Sequence, residues 1–312
     1  MAREGAGAGP MTRLPQIAWL ADGRRLHLQD GPIDLIIEAK GSELEVRAAY
    51  QAAARRLTGL LDELCDELAE LRKAADPLQS AMTGVVAQRM HAAVAPFAGD
   101  CFITPMAAVA GAVAEEILDA MRKDAQLDRA YVNNGGDIAL HLGLDEEFKI
   151  GLLDRPDADG VLRMLSIDAA DPVRGVATSG RHGRSFSLGI ADAVTVLART
   201  ASQADAAATI IANAVDLPAH AAITRVAACE LQPDSDLGER LVTREVGTLS
   251  DGDIARALEA GAGQARRLVE AGLIEAAVLR LSGAIVTVGT RGANDVKLRR
   301  SDEREPRNLI HA

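Results

Sequence analysis

The run Ala107-Ala108-Val109-Ala110-Gly111-Ala112-Val113-Ala114 sets the tightest limit on how this chain folds. Thr104-Pro105 ahead of it supplies an N-cap and a proline at the first helical position, which predicts a helix over 106–123. Side chains this small let another backbone come close, so the helix faces either a second helix or a ligand. The rest of the interior draws on the same narrow stock. Aromatic residues make up 2% of the 312 residues, so Ala, Val, Leu and Ile fill the core of one large domain or two ordinary ones.

A net charge of −11 argues against nucleic acid, whose phosphates need a basic surface, but leaves room for a small anionic ligand held by local positive charge. Cys65, Cys101 and Cys229 are far apart and form no C-x-x-C pair, which suits reduced thiols rather than a disulfide or zinc framework. Residues 1–10 are Ala/Gly-rich without a signal peptide's apolar centre, and no apolar run approaches the ~20 residues of a membrane span. A cytoplasmic protein is expected, with no membrane partner. Residues 1–10 and the charged tail 290–312 are expected to be disordered, around a domain over 11–289 that admits two subdomains.

The pattern opens as a β-meander over 16–39, punctuated by Asp22-Gly23 and Asp30-Gly31-Pro32. Ser42-Glu43-Leu44-Glu45 reads as a capping box opening one long helix, whose stripe Leu57, Leu61, Leu64, Leu68 and Leu71 runs on until Asp76-Pro77. A second helix is expected over 84–95. Strands are expected over 129–133 and 138–142 about the turn Asn134-Gly135-Gly136-Asp137, then over 148–153, 162–167 and 175–178, with 154–160 joining two of them. A helix follows over 201–215, capped by Thr200 or Ser202. Beyond Leu217-Pro218 the signal weakens until a helix over 251–271, broken near Gly261 and Gly263, and a hairpin turning at Ser282-Gly283.

One stretch reads as a site. The loop Thr178-Ser179-Gly180-Arg181-His182-Gly183-Arg184-Ser185 combines backbone that can approach an anion with two guanidinium groups. A helix then carries Asp205 and Thr209 one turn apart, two hard oxygens on one face that suit Mg²⁺. Asp205 could equally serve its own helix dipole, with Thr209 packed by its methyl. The doubled glycine at 135 and 136 brings backbone against a ligand or simply makes the turn. His182 is a base, a phosphate donor or an exposed histidine, and Ser179 sits in no G-x-S-x-G elbow. No Walker loop or complete dinucleotide fingerprint is present.

Taken in order, these segments resemble the ApbE-like family of FAD:protein FMN transferases. Asn133-Asn134-Gly135-Gly136-Asp137-Ile138 is similar to its N-x-G-G-D-I turn, Ala177-Thr178-Ser179-Gly180 to its TSG segment, and Val194-Thr195-Val196 with Ala204-Asp205-Ala206-Ala207-Ala208-Thr209 to its V-T-V strand and A-D-x-x-x-T helix. Val109-Ala110-Gly111 stands where the family has A-K-G. The resemblance implies an α+β, ApbE-like (T-fold-related) fold with antiparallel sheets packed against helices. It implies FAD or a related flavin as cofactor, Mg²⁺ held by Asp205, Thr209 and backbone near Val109, and a pocket formed by Asn133, Gly135, Gly136, Asp137, Thr178, Ser179, Gly180, Arg181 and Arg184.

Two departures mark a separate branch. Ala110 replaces the family's lysine, and the shorter 181–193 stands in for its H-I-I-D-P-x-T-G segment, leaving His182, Arg184 and Asp192 as stand-ins, His182 and Asp192 as the catalytic candidates. The implied activity is transfer of FMN to an acceptor protein or hydrolysis of FAD. The alternatives are a non-catalytic ligand-binding or maturation partner, and an enzyme acting on another small phosphorylated substrate. A homo-oligomer is compatible with all three.

Overall fold

The computed structural model describes residues 14–153, 161–289 and 309–311. Turns at Gly23 and Gly31 fold β1 (Gln16–Trp19), β2 (Leu26–Asp30) and β3 (Ile33–Lys40) into the expected meander. Helices α1 (Glu43–Leu57), α2 (Leu60–Asp66), α3 (Leu68–Leu71), α4 (Val85–Val94) and α5 (Val109–Asp124) follow. Next come β4 (Arg129–Asn134), β5 (Asp137–Leu142), β6 (Glu147–Leu153), β7 (Val161–Asp168), β8 (Gly175–Ser179) and β9 (Ala193–Ala198), then α6 (Ala201–Ala214). The C-terminal part adds β10 (Ile223–Ala227), α7 (Ala228–Leu231), β11 (Leu241–Val246), α8 (Asp251–Glu270), β12 (Ala276–Leu281), β13 (Ala284–Gly289) and β14 (Leu309–His311).

Nine strands form one sheet in the order β1-β2-β3-β4-β5-β8-β9-β12-β13, with every neighbouring pair antiparallel. Alternating side chains divide its two faces. Leu35, Ile37, Val132, Ala177, Val196 and Leu279 point into a large core shared with α1, α4, α5, α6 and α8. Tyr131, Ile138, Leu140, Val176 and Val278 point the other way, onto Phe148, Ile150, Leu165 and Ile167 of a small sheet in which β14 pairs parallel with β6. The fold is α+β with largely antiparallel sheets packed against helices, as the family resemblance implies.

Several local expectations are corrected. Ser42 caps α1 by accepting from the Glu45 amide (3.3 Å), but Glu45 turns its own carboxylate to the Gln126 amide (2.7 Å) instead of closing a capping box. The long helix breaks at Gly59, whose φ of +82° is left-handed, and the leucine stripe continues through two shorter helices ending at Leu71 rather than at Asp76. The break near Gly261 and Gly263 does not occur: α8 is continuous over Asp251–Glu270, and Val215 and Leu279 stand where a Cβ on Gly261 would lie. At its start a reciprocal capping box joins Ser250 and Asp253. Ser250→Ala is expected to cost about 1 kcal/mol, read as a lower urea midpoint at unchanged slope. The hairpin of β10 and β11 went unpredicted. Leu309–His311, inside the tail expected to be disordered, forms β14. Residues 1–10, 154–160 and 290–308 lie outside the described residues.

Candidate active site at two facing helix starts

The helix starts of α5 and α6 meet because glycine stands where they touch. A Cβ on Gly111 would overlap the Ala201 carbonyl and the Ser202 amide, and one on Gly175 of β8 would overlap Thr200. The first turn of α6 is therefore held between α5 and the sheet. Small residues do bring a second helix close, and they bring Asp205 with it. Thr200 caps α6 as expected, accepting from the Gln203 amide (3.3 Å).

Asp205 does not serve its own helix. Its Oδ2 accepts from the Gly111 amide (3.0 Å), one of the unpaired N–H groups that every helix start leaves open. Asn134, at the end of β4, donates from Nδ2 to the Ala110 carbonyl beside it (3.2 Å), and its Oδ1 accepts from the Asp34 amide (3.4 Å). Asp137, across the turn from Asn134, is 9% exposed and accepts from the Thr178 amide at 3.2 Å. The turn itself has left-handed backbone at Gly135 and Gly136 (φ +66° and +112°), and Asn133 Oδ1 accepts from the Gly136 amide at 2.8 Å. Arg184 returns from the loop to lie with its guanidinium 3.5 Å from where a Gly135 Cβ would be.

Electrostatics single out the two aspartates. Burial pushes both carboxyls above the ordinary range, and the Asp137 charge adds to the effect on Asp205. The Gly111 and Ala110 amides pull Asp205 back only in part, as the Thr178 amide and Arg184 do for Asp137. Asp137, buried, and Asp205, half-buried, repel each other and form a donor set for a hard divalent cation. Thr209 lies one turn beyond Asp205 and Val109 opens α5, both half-buried. The residues present fit such an ion, although no group of three His, Cys, Asp or Glu side chains gathers among the described residues.

The other predicted residues gather about Asp192 and the end of β8. Asp192 Oδ1 accepts from Arg181 Nε and Nη2 (2.9 and 2.6 Å), with His182 Nε2 at 3.4 Å, and its Oδ2 accepts from the Ser282 amide (2.6 Å). Gly180 passes so close to the Asp192 carbonyl that a Cβ would meet it at 2.6 Å. Thr178 Oγ1 pairs with Thr195 Oγ1 (2.9 Å), and Ser179 ends β8 opposite Val194. Tyr50, Phe97 and Tyr131 are buried in the cores, and Phe102 lies under the Arg240 guanidinium, so none stands beside the aspartates as a stacking platform. Asn134 and Gly111 are the site residues the sequence reading left unassigned. Asn134 was within reach, as it stands inside the quoted turn motif.

A family model described as AbpE bacteria matches residues 17–287. The chain belongs to this family. Among relatives, a UPF0280 protein of Archaeoglobus fulgidus is 40% identical over 113 residues, covering 36% of this chain and 45% of that protein. The match thus spans less than half of that relative's length. Of solved structures, the apbe protein of Thermotoga maritima aligns at 13% identity and a TM-score of 0.49, covering 91% of this chain and 100% of that one. The apo flavinyl transferase ApbE of Pseudomonas stutzeri aligns at 11% and 0.44, covering 90% and 97%. No helix among the described residues is long and apolar enough to cross a membrane.

Proposed function

We propose that this protein binds FAD or a related flavin nucleotide with Mg²⁺ and breaks its pyrophosphate, passing FMN to a hydroxyl of an acceptor protein or to water. The observation that carries the reading is the Asp137–Asp205 pair, two carboxylates raised by burial where four motif segments converge. Asp205, Thr209 and backbone near Val109 would hold the cation, with Asp137 beside them. Bound there, Mg²⁺ neutralises phosphate charge and makes the pyrophosphate easier to attack.

The chain's own groups supply the rest. Arg184, 68% exposed above the Gly135 turn and held there by a 3.5 Å contact to Asp34 Oδ2, would exchange that carboxylate for a phosphate. Thr178 and Asn133 hold the walls of that cradle through Asp137 and the Gly136 amide. His182, turned by Asp192, takes the proton of the attacking hydroxyl as the new P–O bond forms and AMP leaves. The Arg184→Gln variant is expected to raise KM for FAD about 10-fold with little change in kcat, since it removes a charge-assisted contact to bound phosphate.

Incubation with FAD and Mg²⁺, followed by chromatography for FMN and AMP, tests the reading. Turnover that His182→Gln abolishes supports it. Absence of turnover, with and without candidate acceptor proteins, overturns the catalytic form. One observation favours a second reading, a non-catalytic binding or maturation partner: the carboxylate facing His182 is already shared with Arg181 and the Ser282 amide. That reading predicts a higher melting temperature with flavin and Mg²⁺ and no products.

A further inference from the structure

Asp205 can only be where α6 puts it, and one side chain outside the acid pair fixes α6. Glu115 stands one turn beyond Gly111 on α5 and accepts from the Ser202 amide through Oε1 at 2.6 Å. Ser202 is the second residue of α6, so this bond satisfies one of that helix's open N–H groups with a full negative charge. Asp205, three residues on, returns the favour to the Gly111 amide. The two bonds run in opposite directions between the same two helices. They close a ring through Gly111, Glu115, Ser202 and Asp205.

Backbone contacts at Gly111 and Gly175 limit sideways movement of α6, its buried Ala206, Ala207, Ile210 and Ile211 seat it in the core, and the two directional bonds select its register along the axis. Glu115 is itself braced. Arg89 of α4 brings Nε to 3.5 Å of Glu115 and spreads its remaining charge over Glu116 (3.4 Å) and Asp119 (2.9 Å). At 16% side-chain exposure, Glu115 is shielded from water that would weaken its bond.

We infer that Glu115 is a positioning residue: its bond to the Ser202 amide sets the register of α6 on α5, and so places the oxygens of Asp205 and Thr209 for a divalent cation. The cation half of this rests on the function proposed above; the register half does not. Glu115→Gln keeps an oxygen acceptor at the same reach, whereas Glu115→Ala leaves the Ser202 N–H open.

Mn²⁺ titration by calorimetry, with amide hydrogen exchange at Gly111, tests both halves on the intact chain. Leu118→Ala, a core truncation on the same helix, controls for plain loss of stability. The expected result is Mn²⁺ affinity at least 10-fold weaker in Glu115→Ala, within about 3-fold of wild type in Glu115→Gln and unchanged in Leu118→Ala, as for residues that orient metal ligands. Protection of the Gly111 amide, whose partner is Asp205, should fall in Glu115→Ala alone. Wild-type affinity in Glu115→Ala, or an equal loss in Leu118→Ala, overturns the inference. If wild type takes up no Mn²⁺, the cation reading fails by itself. Gly111 protection then decides the register claim: lost in Glu115→Ala it stands, kept it falls.

Discussion

Asp205→Asn should make the metal-free protein more stable at pH 8 while abolishing any rise in melting temperature on adding Mg²⁺. The two effects have one cause. Burial holds Asp137 and Asp205 above the ordinary carboxylate value of 3.8, with Asp137 pushed up to about 7. A carboxyl raised in the folded state binds its proton more tightly there than in the unfolded chain. Its contribution to stability is therefore present at low pH and is lost as pH rises from about 4 through its folded value. Asparagine at 205 removes one of the two repelling charges and still offers an amide oxygen to Gly111. The metal-free wild type should thus lose melting temperature between pH 5 and 8 by this route, and Asp205→Asn should flatten the curve.

The cation side carries the larger signal. An ion present at about 100 times its Kd adds about 2.7 kcal/mol to a protein that binds it only when folded. For a chain of this size that is about 4 °C, all of which the variant should lose. A scanning-calorimetry series over pH, with and without Mg²⁺, reads both effects. Equal Mg²⁺ shifts in wild type and variant would remove Asp205 from the site.

Gly111→Val should cost about 3 kcal/mol or more, and leave little folded protein at 37 °C. The obstacle is backbone, the Ala201 carbonyl and Ser202 amide, which cannot turn aside as a side chain can. Nor can α6 retreat, since Thr200 already lies against Gly175. Gly263→Ala makes a pointed control. It lies in the middle of α8 with only the Arg266 guanidinium 3.9 Å away, and exchanging glycine for alanine in a helix gains up to about 1 kcal/mol. Urea denaturation should therefore move in opposite directions for the two variants.

What the sequence made legible follows from range. Signals written in neighbouring residues carried through: the meander turns, the Thr200 cap, the start of α8 near Asp251, the Gly135-Gly136 hairpin and the period of β4 and β5. Where a local signal had two outcomes, tertiary contact chose. Glu45 had a capping box within reach and took the Gln126 amide instead; Gly261 had helix-breaking character, and close packing of Val215 and Leu279 gave it a different reason to be there. The β10–β11 hairpin was hidden because its residues are mostly half-buried or exposed, leaving no clean alternation to read. In the candidate site, the i,i+4 spacing of Asp205 and Thr209 was visible, but its use was not. That Asp205 caps a different helix, and that Glu115 answers it, depends on two helix starts meeting, which no spacing within one segment encodes.

The order of strands in the large sheet has a consequence for how the site comes into being. β3 pairs with β4 across the whole of α1 to α5, β5 skips two strands to reach β8, and β9 skips past α6, α7 and α8 to reach β12. Pairings so distant along the chain are closed late, because the entropy of looping must be met before any contact rewards it. Asp137 arrives with β5, Thr178 with β8 and Asp205 with the helix after β9, so no local fragment of the chain contains the acid pair. A cation that recognises the pair can therefore act only on a molecule in which β5 has paired with β8 and α6 has docked on α5. It would slow unfolding rather than speed folding, and its mark should be found on the unfolding arm of the kinetics.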